Sequence, residues 1–189
     1  MKKHFNSRYP HANLKQSNET VATDTKWWTG KPALDDGIVK HGGATGAQVF
    51  TGVTSKYLDI YPVKSDAEFP NTLLNHFRCC GVPNKLFTDG ARAEISLAVQ
   101  DILRTYCVDH AMSEPHYQHQ NPAERRIQDL QAATKAILSI TGAPDELWFL
   151  CMQYVVDLTN HTAMKSLNNR TPFEKKFGYA PDISKFLHF

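Results

Sequence analysis

The sequence predicts an α/β fold with a mixed sheet, and three observations carry the prediction. Two β-rich runs, Ala47–Val53 and Tyr57–Val63, are separated only by Thr54-Ser55-Lys56, which is hairpin spacing. A strand–helix–strand passage follows, a connection that brings two strands parallel. Amphipathic helical stretches then fill the remainder of the chain. At 189 residues and 41% hydrophobic, the chain has the length of about one domain with enough apolar material for a real core.

The elements can be justified in chain order. Glu19–Trp27 alternates β-branched Val21, Thr23 and Thr25 with Ala22, Asp24 and Lys26, a short strand that carries an acid. Six glycines and prolines between residues 29 and 46 read as loop. After the hairpin, Ser65-Asp66-Ala67-Glu68 has the form of a capping box. Phe69, Leu73, Leu74 and Phe77 follow at helical spacing, with Pro70 delaying regular helix and Gly81 stopping it. Lys85–Thr88 is a short buried strand ending at Asp89-Gly90, and a helix follows with Ile95, Val99, Ile102, Leu103 and Tyr106 on one face. Cys107–Met112 is the last strand, and Ser113–Gln120 a polar loop.

Asn121-Pro122-Ala123-Glu124 then opens a helix with several signals together. Asn is a good N-cap, proline is favoured at the first helical position, and the acid sits at the positive end of the helix dipole. Ile127, Leu130, Thr134 and Ile137 carry its apolar stripe to Thr141-Gly142. The next helix starts near Pro144 and bears Leu147, Cys151, Tyr154, Val155 and Leu158; Thr171–Glu174 caps a last one, closed by Gly178.

Composition narrows the function. The longest apolar run, Leu147–Met152, is six residues, too short for a membrane span, so no membrane partner is expected. Lys2, Lys3 and Arg8 precede no apolar stretch, so residues 1–10 do not read as a secretory signal. Four cysteines, two of them adjacent at 79 and 80, make no disulfide framework and point to a reducing compartment. The first 31 residues hold six basic groups against two acids, a basic polar leader that reads as a solvated linker or an arm for a phosphate backbone.

Three acids sit where a rigid scaffold can hold them. Asp24 lies in the first strand, Asp89 just after a later one, and Glu124 in the first turn of a helix. Taken singly, Asp89 is an ordinary turn residue and Glu124 an ordinary capping partner. Converging from separate elements, they suit phosphodiester chemistry, in which two hard cations about 3.5–4 Å apart clamp the attacking and leaving oxygens.

The words around these acids carry a family resemblance. Leu86-Phe87-Thr88-Asp89-Gly90, followed by His119-Gln120-Asn121-Pro122-Ala123-Glu124-Arg125-Arg126, resembles the catalytic core of retroelement integrases, and most nearly the copia type of LTR retrotransposons. Trp148, Tyr154, Asn160, then Asn169–Glu174 and Phe177–Ser184, resemble the segment that closes that core. The resemblance covers residues 19–189. It implies an RNase H-like fold, a five-stranded mixed sheet flanked by helices, with a basic flexible leader over 1–18, the core over 19–178, and an extension over 179–189 toward a following domain.

The same resemblance implies an Asp-Asp-Glu set binding two Mg²⁺ or Mn²⁺ ions. It maps to Asp89 and Glu124, with Asp24 as the first acid and Asp35 or Asp36 as alternatives for that role. Positions 90 to 123 separate the last two acids, one residue fewer than is usual in the family. The implied chemistry is DNA 3′-end processing and strand transfer without a covalent protein intermediate. A core that keeps the fold and nucleic-acid binding but has lost catalysis is the alternative; an RNase H-type nuclease fits the Asn-Pro-Ala-Glu-Arg and Thr-Pro-Phe-Glu words less well. DNA is the expected partner, through Gln120, Asn121, Arg125 and Arg126, and homo-oligomers and a nuclear or virus-like-particle location follow from the family. Zinc is not expected. His110, His116 and His119 lack an accompanying Cys-x-x-Cys, and His76, Cys79 and Cys80 read as buried groups of an amphipathic helix.

Overall fold

The computed structural model describes residues 8–9, 13–34, 43–89, 91, 93–113 and 122–186. Five strands, β1 (Thr20–Trp27), β2 (Gly46–Gly52), β3 (Leu58–Val63), β4 (Lys85–Thr88) and β5 (Asp109–Met112), form one sheet in the order β3-β2-β1-β4-β5. β1 pairs with β2, and β2 with β3, antiparallel; β1 with β4, and β4 with β5, run parallel. The expected five-stranded mixed sheet is thus present.

Helices cover both faces because the strands alternate. Ala47 and Val49 of β2 join Leu58 and Ile60 of β3 beneath α3 (Pro122–Thr141) and α4 (Trp148–His161), where Trp148, Phe149 and Met152 are buried. Val21, Phe50 and Leu86 face the other way and pack with Phe69, Leu73 and Phe77 of α1 (Phe69–Cys80) and with Val99 and Leu103 of α2 (Leu97–Thr105). A polar residue on this second face needs a partner: Thr23, fully buried, donates from Oγ1 to Val49 O at 2.9 Å.

The segment before β1 ties onto this body. Within the expected leader, Gln16 bridges Val82 in parallel, with Ser17 N–H donating to Val82 O and Val82 N–H to Lys15 O, both at 2.8 Å. Gly81 permits that approach: its φ is 88° and a Cβ there would stand 2.8 Å from Lys15 O. Contact with the core therefore begins before residue 19. Beyond α4, α5 (Pro172–Phe177) is capped as read, Thr171 Oγ1 accepting from Glu174 N–H at 3.0 Å and Gly178 closing it at φ 83°.

Four local expectations are corrected. The helix after β4 starts at Leu97, so Ile95 lies outside it and is 37% exposed; the buried residues of α2 are Val99 and Leu103. The last strand begins at Asp109 rather than Cys107, because Cys107 takes φ 55° to end α2, with Val108 N–H reaching back to Leu103 O. The apolar face of α4 runs through Trp148, Met152, Val155 and Val156; Tyr154 and Leu158 are 52% and 42% exposed, since the bulky aromatic pair at 148 and 149 sets the helix rotation. Ser65 makes no side-chain cap; Glu68 alone reaches back, its Oε2 accepting from Lys64 N–H at 2.9 Å ahead of a 3₁₀ turn, Asp66–Glu68.

Candidate active site

Two of the three expected acids are brought together by strand register. In the parallel ladder Val21 stands opposite Leu86 and Ala22 opposite Phe87. Continuing that register by two residues sets Asp24, in the middle of β1, level with Asp89, just past the carboxyl end of β4, and on one face of the sheet. Each side chain is steadied by a backbone donor nearby. Thr25 N–H donates to Asp24 Oδ1 at 2.7 Å, and Ala91 N–H to Asp89 Oδ1 at 2.9 Å. Asp24 is half-buried and Asp89 exposed.

Glu124 arrives from the helix that packs over β1 on this same face. Ala123 is fully buried beside it, and Ile127 and Leu130 seat α3 on the sheet, so the first turn is fixed in place. Glu124 is half-buried and near enough to act on Asp24. The Asp24 carboxyl is pushed up to about 6, first by burial and then by the negative charges of Asp89 and Glu124, against the opposing Thr25 N–H and Lys26. Three acids far apart in sequence thus share one electrostatic neighbourhood.

A fourth acid, Glu94, was not anticipated from the sequence. It sits in the turn between β4 and α2, its N–H bonded to Ala91 O at 2.9 Å, and is only 2% exposed. Its Oε2 is buried without a hydrogen-bond partner. Burial, then a hydrogen bond with the Asp89 carboxyl and its charge, and then Asp24 push it up to about 9, against a hydrogen bond from the Asp89 backbone. The one available signal was an acid flanked by Ala93 and Ile95 in a short turn beside Asp89, a pattern equally common on solvated helix starts.

The expected DNA-contacting residues are placed unequally. Arg125 is exposed and pairs loosely with Asp129 at 3.6 Å. Arg126 is half-buried, its Nη2 3.7 Å from Met164 Sδ. Gln120 and Asn121, like Asp35, Asp36, His116 and His119, lie outside the described residues. On β5, His110 is level with Leu86 and so on the sheet's other face; its Nε2 is 3.1 Å from Thr88 Oγ1, and burial lowers its basicity.

The acid cluster fits hard divalent cations. Its donors are all carboxylate oxygens, the set preferred by Mg²⁺ or Mn²⁺, and the orphaned Glu94 Oε2 is an acceptor that a cation would satisfy. Among the described residues, the group whose ligand atoms all fall within 4.8 Å is a different one: Asp59, His76 and Cys80. The carboxylate oxygens of Asp24, Asp89 and Glu124 are not grouped that tightly. In the tighter group Asp59 Oδ2 already accepts from His76 Nδ1 at 2.8 Å, Tyr61 Oη at 2.7 Å and Cys80 Sγ at 3.3 Å. His76 and Cys80 are buried as read from the sequence; Cys79 is exposed.

Comparison with known proteins places this architecture. No family model matches the chain. It is 24% identical over 149 residues to the Retrovirus-related Pol polyprotein from transposon RE2 of Arabidopsis thaliana, covering 75% of this chain and 10% of that one. The RE1 polyprotein of the same plant is 23% identical over 160 residues, covering 80% and 11%. The chain thus spans about a tenth of the length of the curated relatives it matches. Among solved structures, the HTLV-2 integrase catalytic core domain in complex with magnesium, in its trimeric form, superposes with a TM-score of 0.64 at 14% identity, covering 85% of this chain and 97% of that chain. A simian T-cell lymphotropic virus intasome in complex with PP2A regulatory subunit B56 gamma gives 0.69 at 15%, covering 90% and 57%. The fold is that of integrase catalytic cores, an RNase H-like fold, and the sequence relatives are copia-type retrotransposon polyproteins.

Proposed function

We propose that this chain is the catalytic core of a retroelement integrase, carrying out metal-dependent DNA 3′-end processing and strand transfer. The observation that carries the reading is the gathering of Asp24, Asp89 and Glu124 at the carboxyl end of a parallel strand pair, so close that the latter two raise the Asp24 carboxyl. The similar HTLV-2 core was solved with magnesium, and the similar viral chain belongs to an intasome, which supports divalent ions, DNA and self-association as partners here.

Asp24, Asp89 and Glu124 would hold Mg²⁺ or Mn²⁺, with Asp24 as the first acid of the set. When bound, the ions stabilise charge on the attacking and leaving oxygens of a phosphodiester displacement. The chain supplies fixed geometry: a central strand, the end of its parallel neighbour and a packed helix start hold the carboxylates, and the Thr25 and Ala91 amides orient two of them. Arg125, beside Glu124 and open to solvent, offsets phosphate charge as DNA approaches the acids. A nuclear or virus-like-particle location belongs to the same reading.

The test is a strand-transfer assay in Mn²⁺ on an end-mimicking duplex. Joined products from the wild-type chain that vanish with Asp89→Asn support the proposal. Salt-sensitive DNA binding without any product points instead to a core that has lost catalysis, a reading favoured by the shortened spacing between Asp89 and Glu124.

A further inference from the structure

Glu94 is a buried acid set against another acid, its carboxyl hydrogen-bonded to Asp89. A carboxyl group that is 2% exposed, with one oxygen lacking any hydrogen-bond partner, is an expensive thing to bury. Its carboxyl meets that of Asp89 in a hydrogen bond that needs a proton on one of the two, and the charges of Asp89 and Asp24 also disfavour its ionised form, against a hydrogen bond from the Asp89 backbone. No ion pair among the described residues includes it. Other acids of the interior are provided for: buried Glu19 has Lys176 and Ser55, and half-buried Asp59 has three donors. The turn that carries Glu94 is itself tightly made, with Glu94 N–H and Ile95 N–H both donating to Ala91 O, at 2.9 and 3.2 Å. That turn aims the side chain inward rather than into solvent.

We infer that Glu94 is a fourth carboxylate of the divalent-cation site, its unpartnered oxygen reserved for an ion held with Asp89 and Asp24. The inference rests on the proposed reading of the three acids as metal ligands and adds one residue to their number. A cation there removes the energetic problem, because it supplies the missing partner and screens all the acids together. It also explains why an acid occupies a position where a hydrophobic residue would pack at less cost.

The experiment measures metal binding rather than turnover. Mn²⁺ is titrated calorimetrically into the whole chain, with metal-free thermal unfolding recorded for each variant. Glu94→Gln keeps the shape and removes the ionisable group; Glu94→Met keeps the bulk and removes both polar atoms. The expected result is Mn²⁺ binding weakened about tenfold or more in both, with a metal-free melting temperature equal to or above that of the wild type. A merely structural Glu94 would instead show a lowered melting temperature and unchanged Mn²⁺ affinity, and that result overturns the inference. So does failure of both variants to fold. Asp89→Asn separates the two readings: if it abolishes Mn²⁺ binding while both Glu94 variants bind normally, the three-acid site stands and the fourth ligand falls. If the wild-type chain itself takes up no Mn²⁺, both fall together.

Discussion

Asn160 on α4 grips the backbone of Leu58 with both ends of its amide, Oδ1 accepting from Leu58 N–H at 2.9 Å and Nδ2 donating to Leu58 O at 2.8 Å. Leu58 begins β3, the edge strand of the sheet, where peptide groups on the outer side have no neighbouring strand. A side chain 2% exposed thus imitates a strand and joins α4 to the sheet. Asn160→Asp would set an acceptor against the Leu58 carbonyl and bury a charge. It should cost about 2–3 kcal/mol in urea denaturation, at least as much as Asn160→Ala. A loss under about 0.5 kcal/mol would show that the paired bonds contribute little.

Lys176 and Glu19 make a buried ion pair between α5 and the entry to β1, their side chains 5% and 7% exposed. Glu19 also accepts from Ser55 N–H and Oγ at 3.2 Å, so the hairpin turn joins the same network. Lys176→Met should destabilise by about 3–5 kcal/mol, because it strands a buried carboxylate. Adding Glu19→Gln to that variant should recover part of the loss. A double-mutant cycle by chemical denaturation with no coupling energy would sink this account.

These two contacts also mark where sequence reading stops. Period-2 alternation in Val21–Thr25, the hairpin spacing at Thr54–Lys56 and the Thr171 cap were legible, since each is encoded within a few residues. So were Asp89 and Glu124, which lie in recognisable words. Glu94 was not, because its meaning comes from burial beside Asp89, and burial of a turn residue leaves no periodic trace. The rotation of α4 is ambiguous for a similar reason: Leu147, Cys151, Tyr154 and Leu158 make a helical stripe as good as the true one, and only tertiary packing of Trp148 and Phe149, including the stacking of Trp28 on Trp148 with centroids 5.1 Å apart, separates them. Asp59 and His76, on β3 and α1, looked unrelated until the sheet brought them into contact.

That contact sets a pH dependence. Burial would raise the Asp59 carboxyl, but hydrogen bonding and charge from His76, with donors from Tyr61 and Cys80, outweigh it and hold the group below its ordinary 3.8. A depressed acid stabilises the fold above its unfolded value and loses that contribution as pH falls through the folded one. Thermal stability should therefore drop steeply below about pH 4. Asp59→Asn should be less stable at neutral pH, by about 2 kcal/mol, and should show a flatter acid limb. An unchanged acid limb would remove Asp59 from the explanation.

Asp24 is expected to trade stability for chemistry. It is held half-buried against two like charges, so its ionised form costs the metal-free fold stability. Asp24→Asn should raise metal-free stability by about 1 kcal/mol while abolishing strand transfer. Added Mn²⁺ should then stabilise the wild type more than the variant. Equal stabilisation of both by Mn²⁺ would return the first-acid role to another residue, Asp35 or Asp36.

Arg125 and Arg126 stand next to Glu124 in sequence, yet their surroundings predict different effects on DNA binding. The Arg125 side chain is 81% exposed and held only by a surface pair with Asp129, worth little against a phosphate. Arg125→Gln should lower affinity for any DNA sequence alike and reduce the slope of log affinity against log salt by about 1. Arg126 lies half-buried against Met164, in the loop closed by the Met164–Arg170 bridge. Arg126→Gln should instead lower stability through lost packing of its aliphatic stem, with the salt slope nearly unchanged. Fluorescence anisotropy across a salt series reads both effects. If the two variants shift the slope equally, the helix presents both guanidinium groups to DNA and Arg126 must leave Met164 on binding.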